Sequence, residues 1–179
     1  MKAARTAIAG LFLAASTLVG IASYEGYTDH AVIPVPGDVP TIGHGTTKGV
    51  KMGDTITPTR ALIRLLDDAS KCERALKECI AAPLYPHEFG AYVSLAYNVG
   101  AGAVCNSSIP GKLAAGQYEA ACKTILDFNG FKDRSKPKVQ NPKTGKWDYP
   151  HVVLRGLAIR RQAEYQQCMG GIQDANMGH

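Results

Sequence analysis

The chain has 179 residues, 45% of them hydrophobic and 20% charged, which is too much apolar surface for a disordered chain and enough length for one domain with an N-terminal appendage. Its formal charge of +5 favours anionic surroundings such as nucleic acid, acidic lipid or a bacterial wall. No nucleic-acid-binding motif matches, so DNA and RNA are set aside as partners.

Lys2 and Arg5 precede Thr6 to Ser23, an uncharged run of 18 residues. That is the layout of a signal sequence or short membrane span whose positive end stays in the cytoplasm. Five alanines and two glycines (Gly10 and Gly20) make the run weakly hydrophobic, so a segment that inserts can also leave. Gly20-Ile21-Ala22 has the form of a small-x-small cleavage site. Cleavage after Ala22 would strand Glu25 on a frayed terminus, which favours a retained signal-anchor helix over residues 1–23.

Residues 24–50 are rich in Gly, Pro and Thr and read as turns with a small β-hairpin, Val39 to Thr47 being the expected strand pair. Thr57-Pro58 forms a helix start, with an N-cap hydroxyl and proline at the first helical position. Leu62, Leu65, Leu66, Ala69, Cys72, Leu76, Cys79 and Ile80 then recur at three- and four-residue steps, which predicts one apolar helix face through about residue 81. Pro83 and Pro86 end that helix, and His87 to Asn98 predicts a second, closed by Gly100. Shorter helices are expected over Pro110 to Leu113, Tyr118 to Phe128 and Leu154 to Cys168. Between the last two, Asn129 to Tyr149 reads as a long polar surface loop. The fold class is α+β and predominantly helical, with one domain over 24–170 and a frayed tail over 171–179.

The five cysteines lack C-x-x-C spacing, which argues against zinc. Export would favour disulfides. On one helix Cys72 and Cys79 stand roughly 10 Å apart, beyond the approximately 7 Å limit for bridging, so core packing is their plainer role. Cys105 with Cys122 is the preferred bridge, and one cysteine must be left over.

Glu25 is followed by Gly26, which would stop an N-terminal helix and leave the carboxyl at its end beside the hairpin. Glycoside hydrolysis needs such an acid to protonate the leaving oxygen, and a second group across the sugar to hold water or attack. Asp38 lies three residues before Thr41 on the hairpin and could share a water with that hydroxyl; Asp29, four residues after Glu25, is the other choice. The plainer role of Asp38 is an Asx-type turn beside Gly37. Tyr97 and Asn98 at a helix end, with His44, are candidate sugar-binding residues. His30 and His44 near Asp38 match no zinc spacing, so no metal or other cofactor is expected. Arg160 and Arg161 read as surface ion-pair formers.

These residues resemble the phage lysozyme family of T-even and lambdoid phages, glycoside hydrolase family twenty-four. The resemblance is carried by Glu25-Gly26, by Gly37-Asp38-Val39-Pro40-Thr41-Ile42-Gly43-His44-Gly45, by Tyr97-Asn98-Val99-Gly100-Ala101-Gly102, and by Arg155-Gly156-Leu157 running through Arg160-Arg161 to Glu164. Two departures stand out. Glu25 and Thr41 are sixteen residues apart, one more than is usual in the family, and the position nine after Glu25, where the family has its aspartate, is Pro34.

The resemblance implies a lysozyme-like fold with a small β-hairpin region and a larger helical lobe, preceded by the signal-anchor helix. It implies a muramidase that cleaves the β-1,4 bond between N-acetylmuramic acid and N-acetylglucosamine in peptidoglycan, acting as a monomer with Glu25, Asp38 and Thr41 as its catalytic residues. The enzyme would wait on the host inner membrane and then be released into the periplasm. Loss of the usual aspartate keeps open a lytic transglycosylase acting on the same bond, and a wall-binding protein without catalysis is the non-enzymatic alternative.

Overall fold

The computed structural model describes residues 4–35, 37–140 and 145–170. The expected tail 171–179 lies outside the described residues.

Residues 6–23 do not form one continuous helix. A 3-10 turn at Ile8–Gly10 leads through extended residues to helix α1 (Ala15–Glu25). Among the described residues no helix is long and apolar enough to cross a membrane. The segment is instead packed on the domain. Thr6 and Leu84 exchange backbone hydrogen bonds of 2.9 and 2.9 Å, and Ile8, Leu11 and Ile21 are buried. Arg5 stacks on the rings of Tyr85 and Tyr118, 4.4 and 3.5 Å from their centroids. It also donates to both oxygens of buried Glu88, at 2.7 and 3.0 Å.

After α1 the chain forms β1 (Thr28–Val32) and β2 (Thr41–Gly43), which pair antiparallel with an irregular register between Thr28↔Gly43 and Val32↔Thr41. The expected pairing within Val39 to Thr47 is therefore reduced to one bridge, Ile42↔Thr46. The chain turns through Gly43 to Gly45 immediately after β2, so the partner strand has to come from upstream.

Helix α2 (Pro58–Cys79) starts as predicted, with the Thr57 hydroxyl accepting from the Arg60 N–H. Ala61, Leu65, Ala69 and Leu76 line its buried face, whereas Leu62 and Leu66 point outward. Helix α3 (Pro86–Val99) is the spine of the larger lobe and is buried continuously from Glu88 to Ala96. Packed around it are α1, α2, the short helices α4 (Ala101–Cys105), α5 (Ile109–Ala114) and α6 (Tyr118–Thr124), and the final helix α7 (Arg155–Cys168). A Cβ on Gly90 of α3 would stand 2.5 Å from the Thr17 hydroxyl of α1 and 2.8 Å from the Gln167 amide of α7. Only glycine lets three helices meet at that point.

The disulfides are Cys79–Cys105 and Cys122–Cys168, with Cα separations of 5.7 and 5.6 Å, and Cys72 is free. This corrects the expected Cys105–Cys122 bridge. Cys79, at the end of α2, meets α4, and Cys122 on α6 meets the last residue of α7. By loop-closure entropy each bridge contributes about 3.5–4 kcal/mol. The predicted loop after Phe128 also carries structure. Strand β3 (Gly130–Lys132) pairs with β6 (His151–Val153), and β4 (Val139–Gln140) pairs with β5 (Trp147–Asp148). These ladders are two or three residues long and bury little, so no apolar run announces them in the sequence.

Candidate active site

Glu25 is the last residue of α1, and Gly26 caps the helix through its N–H to the Ala22 carbonyl. Helix α7 supplies the partner. The Arg160 guanidinium donates to Glu25 Oε1 at 2.8 Å, and the two side chains are 7% and 21% exposed. Arg160 is held in turn by Glu164 Oε1 at 3.2 Å, one helical turn away, and by the Tyr24 ring, whose centroid lies 4.8 Å from the guanidinium carbon. Glu164 Oε1 also accepts from Arg161 at 3.1 Å and from the Ser94 hydroxyl at 2.7 Å.

Two arginines and two glutamates thus form a balanced chain of charge, and Arg161 is fully buried. Burial lowers the Arg161 pKa, while burial raises that of Glu164 against the opposing pull of both arginines. The sequence reading of Arg160 and Arg161 as surface residues is corrected here. Their spacing to Glu164, three and four residues along one helix, was the signal available to find the cluster.

With Oε1 held by Arg160, Glu25 turns Oε2 toward Gly45, where a Cβ would lie 3.4 Å from that oxygen and 3.9 Å from the Tyr97 hydroxyl. Gly45 has φ +86°, so both its backbone conformation and the closeness of the acid call for glycine. The hairpin is fastened to α1 and α3 by a short relay. His44 Nδ1 donates to the Gly26 carbonyl, and the Tyr97 hydroxyl donates to the His44 carbonyl at 2.9 Å. The carbonyl acceptor fixes which His44 nitrogen carries its proton. Burial, followed by the negative charge of Glu25, pushes the Tyr97 pKa well above its ordinary value, so the hydroxyl keeps its proton and remains a donor. Buried Thr46 donates to Asp68 at 3.3 Å and ties the same turn to α2.

The remaining sequence candidates make their hydrogen bonds elsewhere or are exposed. Asp38 is exposed in the turn before β2, and its Oδ1 accepts the Val39 N–H at 2.8 Å. Thr41 donates to the Val39 carbonyl at 3.2 Å. The two side chains share a residue as partner and do not bond each other. Asp29 is on β1, exposed and paired with His30 at 2.6 Å, and that hydrogen bond lowers its pKa. Asn98 is exposed at the end of α3. Among the described residues no group of three or more His, Cys, Asp or Glu is placed to hold a metal ion.

Residues 22–164 match the family model described as Phage lysozyme. A SAR-endolysin of Pseudomonas phage phiKMV is 34% identical over 156 residues, 87% of each chain. A SAR-endolysin of Enterobacteria phage P21 is 27% identical over 178 residues, 96% of each. Among solved structures, an endolysin from Escherichia coli O157:H7 phage FAHEc1 superposes with a TM-score of 0.76 at 28% identity, over 91% of this chain and 96% of that one.

The relay makes Tyr97 a candidate positioning residue beside the sugar-binding role expected from the sequence. Tyr97→Phe is expected to remove one hydrogen bond at about 1 kcal/mol of stability and to lower kcat on cell walls several-fold with KM unchanged. A rise in KM at constant kcat would assign Tyr97 to the sugar instead.

Proposed function

The chain belongs to the phage lysozyme family, and on that premise we propose that Glu25, Asp38 and Thr41 cut the β-1,4 bond between N-acetylmuramic acid and N-acetylglucosamine in peptidoglycan. It is a glycoside hydrolase, and its action on the wall releases phage by lysing the host. The observation that carries the residue assignment is the division of labor within the Glu25 carboxyl. Oε1 accepts from Arg160, and Oε2 is the oxygen on the side that faces the hairpin.

In this mechanism a sugar chain lies between the hairpin and α3, and Glu25 delivers its proton to the glycosidic oxygen as the bond breaks. The second carboxylate is Asp38. Its Oδ1 is engaged by Val39, so Oδ2 takes the proton of a water that also bonds the Thr41 hydroxyl, and that water attacks the anomeric carbon. Asn98, exposed at the rim, meets the sugar hydroxyls, while Tyr97 and His44 hold the backbone around the acid. The enzyme works as a monomer without metal or cofactor.

We also propose that residues 1–23 serve first as an inner-membrane anchor and then as part of the enzyme, which works in the periplasm once released. The two relatives named as SAR-endolysins and the weakly apolar segment support this reading. So does the fit of Arg5 into the site made by Glu88, Tyr85 and Tyr118. Residue 25 cannot lie at the bilayer surface on a spanning segment and also sit between Arg160 and Gly45.

Glu25→Gln is expected to keep the fold and to lower lysis of purified walls by at least about 10²-fold, because an amide delivers no proton. Asp38→Asn is expected to slow lysis more than Asp29→Asn. Comparable losses, or the reverse ranking, would transfer the second role to Asp29. Replacing Gly10 and Gly20 with Leu tests the anchor. A Cβ on Gly20 meets nothing within 4 Å and one on Gly10 meets only Thr6 at 3.5 Å, so neither site is crowded in the docked form. The doubly substituted protein is expected to stay in the membrane fraction and to delay lysis at unchanged expression. Recovery as soluble protein with lysis on schedule would refute the anchor.

A further inference from the structure

The segment between Phe128 and α7 does not contribute to the core, yet it holds most of the molecule's charge imbalance. Residues 130–153 contain six Lys or Arg against two Asp, so four of the chain's five net positive charges fall in 24 residues. Its large apolar side chains face solvent. Trp147, the only tryptophan of the chain, is 64% exposed, and Phe131, Val139 and Val153 are 50–55% exposed. Lys132 pairs with Asp148 and Lys136 with Asp133, which uses up both acids. Lys138 lies over the Tyr149 ring at 5.3 Å and within the field of Asp148, and Arg134 is exposed. Two-residue ladders with exposed aromatics and surplus cations do nothing for stability by themselves.

We propose that this segment is a second, non-catalytic contact for the polymer being cut, and that it holds the acidic stem peptides of peptidoglycan through Arg134 and Lys138 with Trp147 packed on the adjoining sugar or peptide. The proposal rests on the hydrolase reading above and extends it to a part of the substrate beyond the cleaved bond. Charge complementarity supplies one argument, since the free carboxylates of stem peptides repeat along every strand.

Continuity with the active site supplies the other. Strand β6 passes through Leu154 directly into α7, and Arg160, which holds Glu25, follows Arg155 by five residues, or ~8 Å of helix rise. A strand seated at Glu25 therefore passes close to the base of the segment. Two contacts on one polymer make the second binding event intramolecular, which raises the local concentration of scissile bonds without altering the chemistry.

The test compares two substrates with two variants, Arg134→Glu/Lys138→Glu and Trp147→Ala. Binding to purified sacculi is measured in the Glu25→Gln background, and hydrolysis of a soluble tetrasaccharide without peptides is measured in the otherwise native enzyme. Both variants are expected to bind sacculi roughly tenfold more weakly while cutting the soluble tetrasaccharide at the native rate. Native binding should also weaken as salt is raised, because exposed charges are screened. Unchanged sacculus binding would overturn the proposal, as would an equal loss on the soluble substrate. Loss of binding to phosphatidylglycerol vesicles with sacculus binding retained would assign the segment to a lipid surface instead. Failure of the hydrolase reading would look different, since the native enzyme would then release no products from either substrate.

Discussion

The ion pair between Glu25 and Arg160 joins residues 135 positions apart and ties the first helix of the domain to the last. Everything else in the site depends on it. Its value is positional more than energetic, because desolvating two charges offsets most of their attraction. Glu164, Arg161 and Ser94 limit Arg160 to one placement, and Arg160 in turn limits the acid. For the proposed proton delivery, a carboxyl with one oxygen engaged and the other directed at the hairpin leaves little to reorganise.

That arrangement holds only while α1 lies on α3 and α7. Small residues make this packing possible, as Gly90 shows where the three helices meet. An open pocket of about 790 Å³ runs beside α1, bordered by Gly20, Ser23, Tyr24 and Glu164. An apolar run built for permanent residence in a bilayer would be rich in leucine. The composition that keeps this segment weakly apolar also lets it pack on the domain, where Arg5 is seated against Glu88, Tyr85 and Tyr118. In the proposed roles, the acid and the export segment are thus parts of one structural element.

Much of this was legible from residue patterns. The proline-led start of α2, the part of its apolar face that runs through Leu65, Ala69 and Leu76, and the Gly26 stop that puts Glu25 at a helix end all follow from local rules, and the structure reproduces them. What could not be read depends on which distant elements meet. Strand β1 pairs with β2 across a bulge, and Cys122 finds Cys168 rather than Cys105, because helix packing decides both. Arg160 and Arg161 looked like surface charges since arginine is rarely buried, and only the approach of α1 and α3 turns them inward. The substitution of Pro34 for the usual aspartate was visible at once. In the structure Asp38 and Thr41 each hydrogen-bond Val39.

The central claim is that the N-terminal segment stays in the working enzyme, and the intact mass of the lytically active protein recovered from the periplasm tests it most directly. The account predicts a species of about 19.1 kDa that retains residues 1–23. An active species beginning after Ala22 would contradict it, since Arg5, Thr17 and Ile21 would then be absent from an enzyme that works without them.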